Sequence, residues 1–199
     1  MRKKNPSRAI ISVAIMAIAV LGAFVLLSNR SDKAAANESV DKITPVQEVL
    51  LKNLNNDYPA SPKEVVKFYS EISRCFYGED YSEDEFVALA EKSRELFDSE
   101  LVANQTDEQY LTALKSDVES YKSNKKSISS FSVSSSTDVD YYDYLGDKWA
   151  QLYCVYSIRV STSITPVKEK YLLRKDPDGH WKIFGWVLVE DELLTGSNE

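Results

Sequence analysis

Histidine is almost absent: His180 is the only one in 199 residues. Zinc sites of the H-E-x-x-H type, and any site needing two or three imidazoles, are thereby excluded. His180 stands between Gly179 and Trp181 and reads as a solvated turn residue. Cysteine is nearly as scarce, with Cys75 and Cys154 alone. No cysteine stands directly after the apolar N-terminal run, which argues against a lipid-modified N-terminus. The chain contains no G-x-S-x-G, no G-x-x-x-x-G-K-[ST] and no G-x-G-x-x-G. Lipase-type serine catalysis and the familiar nucleotide cradles therefore lack support, and no catalytic residue, metal site or cofactor is expected. Basic charge is short beyond residue 27: four of the 24 Lys and Arg residues and none of the 31 acids precede Ser28. The chain from Ser28 onward carries 20 basic against 31 acidic residues, a net −11 that repels phosphate and disfavours nucleic-acid binding.

One long apolar run is present. Residues 9–27, AIISVAIMAIAVLGAFVLL, carry no charge and follow Arg2, Lys3, Lys4 and Arg8. As a helix at ~1.5 Å per residue this run reaches about 28 Å, close to the ~30 Å hydrocarbon core of a bilayer. Basic residues are retained on the cytoplasmic side, so residues 1–8 are expected inside and the bulk of the chain outside the cytoplasm. A cleaved signal peptide is the competing reading, with Ala34-Ala35-Ala36 as its site. The run is longer than a usual signal core, and Arg30, Asp32 and Lys33 intervene, so a retained single-pass anchor is preferred. Residues 28–43 read as a polar linker, 44–192 as one domain and 193–199 as a frayed tail.

The domain divides by period. Thr44–Gln47, Ser61–Glu64, Ser82–Glu85 and Thr106–Gln109 each place a hydroxyl three residues before Glu or Gln, the spacing that closes a helix N-terminus. Pro45 and Pro62 occupy first helical positions. Apolar spacings of three and four predict helices over 45–54, 62–77, 83–97 and 107–123. After Lys126 the period becomes two, predicting strands over 127–136, 150–160, 167–174 and 181–190. Asp176-Pro177-Asp178-Gly179 joins the last two as a hairpin. Helices first, then consecutive antiparallel strands, is the α+β pattern.

The ending K-Y-L-L-R-K-D-x-D-G-x-W-K-I, here Lys170–Ile183, behind three N-terminal helices, resembles the nuclear transport factor 2-like superfamily over residues 61–189. The whole chain is similar to single-pass proteins of Gram-positive bacteria with such an ectodomain. The resemblance implies a cone-shaped, curved antiparallel sheet whose helices close one side of a pocket. It also implies three kinds of role: isomerase or cyclase, scaffold, or ligand binder. Fold alone selects none of them.

Twelve tyrosines are the most unusual feature of composition. Aromatic residues favour strands and cores, and most of these are read so. Tyr69, Tyr153, Tyr156 and Trp186 are the candidates for lining a ligand pocket, whose occupant would be a small apolar molecule. Cys75 and Cys154 are read as two buried thiols, with a disulfide between helix and strand as the alternative. Asp138, Asp140, Asp143 and Asp147 fail the calcium-loop pattern, because Tyr142 and Asp143 occupy its fifth and sixth positions.

These residues favour a non-catalytic domain binding a small ligand or an envelope protein. The bilayer is its other partner, through Ala9–Leu27, and nothing indicates its oligomeric state. The alternative is an isomerase- or cyclase-like enzyme, which needs a carboxylate base inside an apolar cone. Glu169 and Asp140 are the nearest candidates, and both are expected to point to solvent.

Overall fold

The computed structural model describes residues 43–189. The expected anchor over 9–27, its flanks, the linker up to residue 42, Ala34–Ala36 and the tail lie outside the described residues. Among those described, no helix is long and apolar enough to cross a membrane.

Five helices precede five strands: α1 Pro45–Leu51, α2 Pro62–Gly78, α3 Glu83–Arg94, α4 Ser99–Ala103, α5 Asp107–Ser123, then β1 Lys126–Val133, β2 Asp140–Tyr144, β3 Asp147–Val160, β4 Ser163–Lys175 and β5 Trp181–Leu188. The helix starts follow from the hydroxyl spacing. Thr44, Ser82 and Thr106 each accept from the backbone N–H three residues on, and Gln47, Glu85 and Gln109 accept in return from the cap N–H. At Ser61 the arrangement differs: Ser61 accepts from Glu64 N–H, but the Glu64 carboxylate takes the N–H of Ala60. α1 stops at Leu51 and α3 at Arg94, each three residues short of the periodic reading. α3 ends because Leu96–Asp98 turns to bond β5: Ile183 N–H donates to Leu96 O, and Asp98 N–H to Ile183 O, both at 2.8 Å. This short bridge covers one end of the β5 edge, which would otherwise expose unpaired backbone groups.

The sheet is antiparallel and curved, in the order β1-β3-β4-β5, with β2 also pairing β3. β1 takes Cys154–Val160 of β3 and β2 takes Asp147–Gln151, so the two short strands share one edge of the long one. Bulges interrupt the ladder between Ile128 and Ser130 and between Leu172 and Leu173, and a bulge bends the strand that carries it. β2 is a strand where the sequence pattern predicts only a connection. Every residue of it is exposed, so no apolar alternation marks it.

The core lies between α2 and the inner sheet face. Val65, Val66, Phe68, Ile72, Cys75 and Phe76 come from the helix, and Ala150, Leu152, Cys154, Tyr156 and Ile158 from β3. Tyr171, Leu173, Trp181 and Ile183 complete it from β4 and β5. Cys75 and Cys154 are both buried and free. Burial pushes the Cys75 thiol up to about 11 and raises Cys154 as well, so neither has thiolate character near neutral pH.

Candidate functional site

Period two puts Ile158 and Tyr156 of β3, and Val167, Glu169 and Tyr171 of β4, on one face. Opposite stand Tyr69, Ser73 and Tyr77, at spacings of four along α2, and Asp117 and Tyr121, four apart on α5. Together with Ile128 and Trp186 they enclose a cleft of about 290 Å³. Trp186 reaches it through a register change. Tyr171 pairs with Trp186 but Leu173 with Ile183, so Phe184 is an extra residue in β5. Without it, the inward parity of Trp181 and Ile183 would send Trp186 to the outer face. Gly185 in the strand interior was the available sign, since such a glycine often marks a bulge.

A hydrogen-bonded chain runs from the helix into this cleft. Ser70 Oγ lies 2.8 Å from the Tyr156 hydroxyl, Tyr156 OH lies 2.8 Å from Tyr171 OH, and Tyr171 donates to Glu169 Oε2 at 2.7 Å. Ser70 Oγ also donates to Val66 O at 2.8 Å. Ser70, Tyr156 and Tyr171 are buried and Glu169 is half-buried. With Glu169 ionised, three hydroxyl protons face four contacts in this chain, and a proton on the carboxyl would fill the fourth. Burial raises the Glu169 carboxyl above its usual range, and the Tyr171 hydrogen bond only partly opposes this. At the mouth, Tyr77 donates to exposed Asp117.

Of the sequence candidates, Tyr69, Tyr156 and Trp186 line the cleft together. Tyr153 does not. It has the opposite parity on β3, and its ring lies on the outer face under Lys168, 4.5 Å from the ammonium nitrogen. Asp140 is exposed and accepts from Gln151. Glu169, expected to face solvent, faces the cleft instead. The signal for this was its two-residue spacing from Tyr171. His180 is exposed in the hairpin turn, where its ring stacks on Tyr58 at 4.3 Å.

Two further features were not read from the sequence. A second hollow, of about 460 Å³, adjoins the first and shares Tyr69, Tyr77, Asp117 and Trp186 with it. Asp98, 3 % exposed, caps α4 and takes two hydrogen bonds from Arg174, at 2.6 and 3.0 Å. Among the described residues, no group of three or more His, Cys, Asp or Glu side chains is arranged to hold a metal ion.

A family model described as "Domain of unknown function (DUF6715)" matches residues 1–186. The chain belongs to that family. No curated protein matches it. The DUF6715 match spans the apolar run, the linker and nearly all of the folded domain.

Proposed function

We propose that this DUF6715 chain is a single-pass, membrane-anchored ectodomain with a nuclear transport factor 2-like cone, and that it binds a small ligand without transforming it. The observation that carries the reading is the cleft itself: about 290 Å³ between helices and inner sheet face, walled by aromatic rings together with Ser73, Asp117 and Glu169. The uncharged run 9–27 behind four basic residues supports the anchor. An envelope-protein partner has the exposed Tyr141, Tyr142 and Tyr144 of β2 in its favour. A concave cleft favours a small molecule over that flat contact.

The enzymatic reading draws on Glu169, a half-buried carboxylate within hydrogen-bond reach of a tyrosine. Against it, the cleft opens to solvent along exposed Asp117 and Trp186, the latter 38 % exposed. The Tyr171 proton is also spent on the carboxylate, not aimed across the cleft at a developing oxyanion. The experiment is ligand-observed NMR on the full chain in nanodiscs with p-cresol, beside the cleft-filling variant Val167→Trp. Saturation transfer to p-cresol that vanishes in Val167→Trp is the expected result. Equal transfer in both proteins would remove the cleft from the function. Glu169-dependent hydrogen exchange at the α-carbon of a small cyclic ketone would favour the enzyme.

A further inference from the structure

We propose that the ligand of this cleft is an organic ammonium ion, held by its charge against Glu169 and by its alkyl skin against the rings of Tyr69 and Trp186. The inference rests on the cleft being a binding site and names what it binds. Among the described residues, the charged side chains that line it are Glu169 and Asp117, both acids. Lys126 of β1 lies outside the lining, 5.7 Å from the Tyr121 ring. Arg94, which lines the neighbouring hollow, is engaged elsewhere: it pairs with Asp107 at 3.0 Å and donates to the carbonyls of Val102 and Gln105.

The hydrogen-bonding state of Glu169 points the same way. Among the described residues, the Glu169 carboxylate accepts from Tyr171. A half-buried anion attracts either a proton or a cation. A neutral apolar ligand would strip more water from it and supply no charge; an anion would be repelled.

The aromatic geometry selects among cations. Tyr69 lies 5.4 Å from Trp186 and 6.0 Å from Tyr171, and Tyr171 stacks on Trp186 at 6.0 Å. Ring faces beside a carboxylate attract alkylammonium groups, whereas metal ions need convergent oxygen ligands. A volume near 290 Å³ holds an ion of choline size.

Calorimetric titration of the full chain in nanodiscs tests this, using choline, n-propylamine and 3,3-dimethylbutan-1-ol, the neutral isostere of choline, with p-cresol as the neutral aromatic control. Choline or propylamine should bind at least about tenfold tighter than the isostere. Glu169→Gln should erase that preference, with a far-UV spectrum like the parent's. Trp186→Leu should weaken choline more than propylamine, because a quaternary ammonium has no N–H to donate to Glu169 and leans more on the rings. Ammonium binding should also fall as acid protonates Glu169. If p-cresol binds in a Val167→Trp-sensitive way but the ammonium ions bind no better than the isostere, the ligand class is wrong and the cleft reading stands. If none of the probes binds, both readings fall.

Discussion

Glu169 sits where its charge costs stability. Burial raises its folded-state value above the unfolded carboxylate value of 4.5, so the folded chain favours the protonated form. The stability this contributes is fully present below pH 4.5 and is lost as pH rises through the folded value. Glu169→Gln keeps the acceptor for Tyr171 and removes the charge. Its melting temperature should therefore exceed the parent's at pH 8, by a margin that shrinks toward pH 4.5. Thermal melts of the two chains across that range check this; a constant margin would mean the carboxyl is not desolvated. Among single residues, Tyr69 and Tyr156 were legible because helical and strand periods both placed them inward. Glu169 was misread because an acid suggests solvent, although its parity with Tyr171 said otherwise. Tyr153 failed for the mirror reason: an aromatic ring suggests a pocket, yet its parity is outward.

At the scale of elements, the helix starts and the long strands β3 to β5 were readable. Hydroxyl caps and apolar periods are local signals, and they agree here with the fold. α4 has five residues, too few for a helical period to show. β2 is exposed on both faces, so selection for burial leaves no trace in it. The contacts that tie these elements together are equally hard to foresee. Arg174 of β4 reaches Asp98 at the N-cap of α4 and also Glu100, 2.8 Å away, while lying over the rings of Trp149 and Phe184 at 5.4 and 5.1 Å. Removing the arginine leaves Asp98 buried and unpaired, a change that costs about 3–5 kcal/mol in comparable buried pairs. Arg174→Ala should lose about that much stability in urea unfolding. Asp98→Asn should lose less, since asparagine still caps α4 and Arg174 keeps Glu100. Equal losses in the two variants would show that the cost lies in the broken pair itself and not in a stranded buried charge on Asp98.

For the whole molecule, the proposed anchor and the acidic domain are two halves of one electrostatic arrangement. Arg2, Lys3, Lys4 and Arg8 resist translocation, whereas a chain segment of net −11 has no comparable excess of basic charge near the apolar run to hold it inside. Only Arg30 and Lys33 lie within the first residues beyond Leu27, so the basic count across the run is four against two. The asymmetry predicts that protease added to intact protoplasts expressing the full chain removes the 44–189 domain and spares a short membrane-bound N-terminal piece. Replacing the four N-terminal basic residues with asparagine inverts the count to none against two. A substantial protected fraction should then appear, because Arg30 and Lys33 now favour the cytoplasmic side. Were the unaltered chain recovered whole in the soluble cytosolic fraction, the run 9–27 would be no anchor. The cleft would then have to meet its ligand inside the cell.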